Sequence, residues 1–183
     1  MNLHNQIHSE LSKKNTEYIA ELALQNKDIF NNLWELFIDA DYETRRRSLW
    51  ILEKCCKKKN SLLQPKVTII ITKLLNAEDD WHQRILLSII KQLQLPYAML
   101  GKLYDLCIQM IKNEKTATGI KSNAIEILAK IASKEPDLIP EIILYIEDNI
   151  AFASSGMKHR ATKVIKQLYN KKGHQNDDLY LCK

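Results

Sequence analysis

Glycine and proline are scarce, four of each in 183 residues. Folds built only from β-strands need both for their tight turns, so that class is excluded and an all-α chain is expected. Nothing approaches the roughly 20 consecutive apolar residues of a membrane span. The opening Met1-Asn2-Leu3-His4-Asn5-Gln6 has no basic stretch leading into an apolar one, so the expectation is a soluble, cytoplasmic protein with no membrane partner. Cys55, Cys56, Cys107 and Cys182 form no CxxC pair. Adjacent Cys55 and Cys56 on a helix would point in different directions and bridge poorly, so reduced thiols are expected, most of them as core filler.

Catalytic signatures are missing too. There is no P-loop, GxGxxG, HExxH or GxSxG. Cys107 lies within Tyr104-Asp105-Leu106-Cys107-Ile108, a core-like setting without a neighbouring His, which argues against a nucleophilic thiol. His4 and His8 have a metal-compatible i, i+4 spacing, but no Cys, Asp or further His lies nearby in sequence to complete the shell. No cofactor, metal or catalytic residue is therefore assigned, and the chain is not expected to be an enzyme.

What remains is abundant Leu, Ile, Lys, Ala and Glu, with 45% hydrophobic and 27% charged residues and a mildly basic net charge of +5. The length suits one well-cored domain. A polar helix over residues 1–14 and an apolar-striped segment from Glu17 to Leu24, read as a capping helix, precede a periodic region. There, helix pairs are expected at Lys27–Ile38 with Glu43–Lys58, Lys66–Leu75 with Asp80–Leu93, Tyr97–Lys112 with Gly119–Lys134, and Leu138–Ile150 with Gly156–Tyr169. These correspond to repeats over 27–59, 62–94, 97–134 and 137–170 in one domain of residues 1–170. A flexible tail is expected at 171–183. The β-branched run Val67-Thr68-Ile69-Ile70-Ile71-Thr72 favours a strand locally, but a lone strand would have no partner, so helix is assigned there.

Self-comparison at a period of about 38 residues aligns the second helices. Ser48, Ile51, Leu52 and Cys55 fall on Leu86, Ile89, Ile90 and Leu93. They also fall on Ala124, Ile127, Leu128 and Ile131, and then on Ala161, Val164, Ile165 and Leu168. One small or apolar face recurs in every second helix, as expected where each packs between its own partner and adjacent repeats.

This pattern resembles the HEAT and armadillo class of helical repeats over roughly residues 27–170, with a looser likeness to small bacterial helical-repeat proteins. The resemblance implies a right-handed α-α superhelix of about four helix pairs with an N-terminal capping helix. It also implies an interaction scaffold rather than an enzyme. The family often places an acid at the turn and a base about six positions later. Asp41 with Arg47, and Glu78 with Arg84, fit that spacing.

Beside the apolar face runs a second column: Arg46, Trp50 and Lys54; Arg84, Ser88 and Gln92; Ser122, Glu126 and Lys130; His159, Lys163 and Gln167. Spaced i, i+4, i+8, each set forms one stripe on its helix, and only Trp50 among them is not polar. Under the resemblance this stripe lies on the concave surface. Arg46, Trp50, Lys54 and Arg84 are therefore the candidate partner-binding residues, for a protein or peptide segment. The alternative is a nucleic-acid backbone. Nine Lys or Arg against the single acid Glu53 lie between Arg45 and Lys73, and six against none between Lys158 and Lys172. Helical-repeat DNA alkylation-repair glycosylases use a basic, aromatic-lined face of this kind, but their chemistry calls for a carboxylate among aromatics, and only Glu126 falls on the stripe.

Ser154-Ser155-Gly156-Met157-Lys158-His159 resembles the signature loop of the fumarase and adenylosuccinate lyase superfamily, without that loop's Pro and Asn. Lyase activity is set aside, because those enzymes need very long central helices and several subunits per site. The segment is read instead as a helix start capped by Ser155. A monomer or weak dimer is expected.

Overall fold

The computed structural model describes residues 2–77, 79–150 and 154–180, with side chains described as far as Asn170. Among the described residues there are ten α-helices, four short 3-10 turns and no strand. They form two compact units, Met1–Gln94 and Leu95–Lys183.

In the first unit α1 (Leu3–Ser9) and α2 (Lys13–Gln25) precede two helix pairs, α3 (Lys27–Asp39) with α4 (Tyr42–Lys58) and α5 (Val67–Leu75) with α6 (Asp80–Ile90). The connections stay short because their polar residues close the helix ends. Asn26 ends α2 by donating its N–H to Leu22 O, and starts α3 by accepting from the amides of Asp28 and Ile29. Asp41 accepts from the amides of Glu43 and Thr44, and Asp79 from that of His82. Each cap meets amide groups that have no partner inside the helix. α2 packs on α3 and α4, and α4 packs on α6, so second helices lie side by side.

The β-branched run is helical for a visible reason. Val67, Ile70, Ile71 and Leu74 are buried while Thr68, Ile69 and Thr72 are exposed, which is the i, i+3, i+4, i+7 pattern of a helix and not the alternation of a strand. Between α4 and α5 the chain makes 3-10 turns at Asn60–Leu62 and Gln64–Lys66. The side chain of Gln64 fastens the end of the unit there: its Nε2 donates to Gln94 O at 3.0 Å, and its Oε1 accepts from Gln94 N at 2.8 Å.

The second unit holds α7 (Leu100–Lys112), α8 (Thr118–Ala132), α9 (Ile139–Ile150) and α10 (Ser155–Tyr180), with 3-10 turns at Tyr97–Met99 and Pro136–Leu138. α8 packs against α7 and α10, and α9 against α7 and α10. Pro96 immediately precedes the first of these turns and Pro136 opens the second, positions where a missing N–H costs little.

Every aligned apolar position of all four second helices is buried, from Ser48, Ile51, Leu52 and Cys55 to Ala161, Val164, Ile165 and Leu168. Fully burying one Leu or Ile is worth roughly 1.5–3 kcal/mol. Helices of this length are marginal alone, and that shared stripe stabilises them. Cys55, Cys56 and Cys107 are free and buried, with burial pushing Cys55 and Cys107 up to about 12. Cys182 lies outside the described residues.

Some local expectations are corrected. Ser154, not Ser155, occupies the cap position of α10, since its carbonyl accepts from Lys158 N at 2.9 Å. α10 runs on past Tyr169 to Tyr180, and the tail expected at 171–183 falls where side chains lie outside the described residues. Arg47 does not pair with Asp41, whose carboxylate is taken by the α4 cap and by Thr44 Oγ1. It pairs instead with Glu43 at 2.8 Å and donates to Ile7 O at 3.2 Å, tying α4 to α1. Glu78, the proposed mate of Arg84, lies outside the described residues.

Candidate functional site

Capping by Asp41 fixes the start of α4, and from there the helical repeat projects Arg46, Trp50 and Lys54 along one stripe. On α6 the same logic aligns Trp81, Arg84 and Ile85. Because α4 and α6 pack together, the two stripes border one groove of about 470 Å³. All four residues singled out in the sequence, Arg46, Trp50, Lys54 and Arg84, line it. Leu11, from the α1–α2 connection, stands at its edge and is 65% exposed.

Trp50 is half-buried. Besides the groove it borders a void of about 10 Å³ shared with Ile7, Leu11 and Ile19. Lys54 Nζ lies 5.9 Å from the centre of the Trp50 ring, and the Arg46 guanidinium carbon lies 4.9 Å from that of Trp81. Each cation is held over an aromatic face by the ring quadrupole. Glu43 approaches Arg46 only to 3.9 Å, beyond hydrogen-bond length, while its other oxygen is engaged by Arg47.

The groove also contains Glu53, which is 5% exposed. Burial alone would push this carboxyl up. Hydrogen bonds from Lys57 and Ser88, with the charges of Lys57 and Lys54, outweigh burial and hold it below the usual glutamate value. Lys57 Nζ sits 2.6 Å and Ser88 Oγ 2.8 Å from Oε1. With that oxygen doubly engaged, Glu53 is anchored as part of the groove's framework. Among the described residues, five cations line the groove (Arg46, Arg47, Lys54, Lys57 and Arg84) with two acids, Glu43 and Glu53.

Three lining residues were not singled out in the sequence: Trp81, Glu53 and Leu11. Trp81 was within reach, since it precedes Arg84 by three residues and so shares its face. Glu53 read as the lone acid in a basic run, and only the contact with Ser88 of the next repeat reveals its burial. Leu11 belongs to a connection outside the repeat register.

The rest of the polar column behaves less uniformly. Ser122 is buried, not solvent-facing, at 7% exposure. Glu126 pairs with Arg160 at 2.9 Å, while His159, Lys163 and Gln167 are exposed. The basic run does not act as a block either: Lys58 pairs with Glu21, Lys66 lies 4.5 Å above the Trp34 ring, and Arg45 lines a separate depression. That depression holds His82, whose Nδ1 is 2.5 Å from Asp79 Oδ2. The Asp–His contact belongs to the α6 cap, and among the described residues no hydroxyl or thiol nucleophile of Ser, Thr or Cys lines the space.

The rings of His4 and His8 stack at 4.7 Å, and His8 Nε2 meets Thr44 Oγ1 at 2.9 Å. Among the described residues no group of His, Cys, Asp or Glu could hold a metal ion, and no helix is long and apolar enough to cross a membrane.

Antiparallel helix pairs whose second helices pack on one another, with a buried apolar stripe and a polar one beside it, define an α-helical repeat protein. The chain belongs to the HEAT repeat domain family, whose model matches residues 3–168. HEAT repeats generally act as protein-interaction scaffolds. No curated protein and no solved structure matches the chain.

Proposed function

We propose that the chain is a non-enzymatic scaffold that binds a protein or peptide segment in the groove between α4 and α6. The observation that supports this most is the convergence of Arg46, Trp50, Lys54 and Arg84, with Trp81, on one concave space. A half-buried tryptophan beside Arg is the type of anchor that dominates binding energy at protein interfaces. Affinity capture with wild-type and Trp50→Ala baits tests the reading. Loss of one discrete partner in the variant is expected, and undiminished capture would overturn it.

A second reading is favoured by the same cation excess, namely contact with a nucleic-acid backbone. It requires association that falls steeply with added salt, with a slope reduced by about one for each phosphate-contacting Arg removed. Unchanged tryptophan fluorescence and mobility with short DNA and RNA at low salt would eliminate it.

A further inference from the structure

We infer that the α4–α6 groove is built for an acidic peptide segment carrying a bulky apolar side chain, an assignment that rests on the scaffold reading above. Charge selects the sign of the occupant. Among the described residues five cations and two acids line the space, and the acids are engaged by two of those cations, Glu43 by Arg47 and Glu53 by Lys57, so the lining carries an excess of three positive charges.

Geometry selects carboxylate over base stacking. Arg46 covers one face of Trp81 and Lys54 lies toward Trp50, so a base stacking on either of those faces would have to displace a cation. A guanidinium is planar and can meet a carboxylate with two parallel hydrogen bonds. With Glu43 at 3.9 Å from Arg46, hydrogen-bonding capacity remains on that edge.

Apolar surface selects the rest of the segment. Leu11, Trp50, Trp81 and Ile85 give the same space an uncharged lining, and Leu11 keeps most of its surface in water until something covers it. The volume, about 470 Å³, suits one or two large side chains of a peptide and falls at the small end of ligand clefts. An amphipathic acidic segment satisfies both demands: carboxylates on the Arg46 and Arg84 rim, and an apolar residue against Leu11 and Trp50.

The test is fluorescence anisotropy with the full chain and three labelled peptides of one length. The first has Leu-Phe flanked by Asp and Glu, the second replaces each acid by Lys, and the third replaces Leu-Phe by Ser-Ser. The acidic apolar peptide should bind at least tenfold more tightly than either other, and lose at least tenfold in affinity in Arg46→Glu and in Arg84→Glu. Both substitutions are at partly or fully exposed positions, so circular dichroism should show an unchanged fold. Preference for the Lys peptide, with binding abolished by Trp50→Ala, overturns the acidic assignment and leaves the scaffold reading standing. Failure of all three peptides overturns the assignment while Trp50-dependent partner capture judges the scaffold reading separately. Displacement of the acidic peptide by lower concentrations of single-stranded DNA, or a concentration-dependent dimer that excludes it, likewise overturns the assignment.

Discussion

Ser88 on α6 donates its hydroxyl hydrogen to the Glu53 carboxylate on α4 across 2.8 Å, joining two successive repeats at the floor of the groove. Lys57 meets the same oxygen, and Lys54 stands 3.8 Å from the other. This buried group ties the stability of the first unit to the form of the groove between α4 and α6.

Glu53→Gln should therefore destabilise the protein by about 1–3 kcal/mol at neutral pH, the cost of removing a charged partner from a buried network. The pH dependence follows from the direction of the shift. The folded carboxyl ionises below the ordinary value of 4.5, so its contribution is complete above that value and is lost as pH falls through the folded one. Thermal melts of both proteins should differ most near neutrality and converge as the medium is acidified below pH 4.5. A gap that widens on acidification would contradict the assignment.

Ser48 makes the opposite case. It is fully buried, and its Oγ has no hydrogen-bond partner, while the equivalent positions carry Leu86, Ala124 and Ala161. Ser48→Ala removes an unsatisfied hydroxyl and should leave stability unchanged or raise it by about 1 kcal/mol. Urea denaturation gives the sign directly.

In the second unit the repeat core and the polar column should separate cleanly. Leu128→Ala empties a site with no solvent exposure and should cost about 2–5 kcal/mol. Lys163→Ala, at an exposed position, should stay within about 0.5 kcal/mol of wild type. Equal effects would mean that the register linking α8 to α10 is misread.

Thiol chemistry checks the same core without mutation. With Cys55 and Cys107 pushed up to about 12, these two hold almost no thiolate at pH 8, and Cys56 is buried away from reagent. Mass spectrometry after brief alkylation should find these three unmodified in the folded protein and modified in denaturant. Rapid labelling of Cys107 in the native state would argue against its placement.

The repeat core was legible because one physical demand, burial of the same face in each second helix, left the same residue types at the same spacing. Val67–Leu75 shows the rule prevailing over local β preference, since its buried set follows the helical period. Groove residues were legible only where they shared that register, as Arg46, Trp50, Lys54 and Arg84 do. Glu53 was not, because its burial depends on Ser88 across a helix interface, and neither residue signals the other in sequence. Arg47 was misassigned for a related reason: Asp41 and Glu43 both lie within reach, and the capping demand on Asp41 left Glu43 as the partner.

The mutual clasp of Gln64 and Gln94 has a consequence in time rather than in space. The Gln94 amide lies outside every helix, where a main-chain hydrogen normally exchanges with solvent almost at once, yet a side chain thirty residues earlier holds it at 2.8 Å. Its exchange is governed by opening of the turn before α5, so this one hydrogen reports how often the closing end of the first unit comes undone.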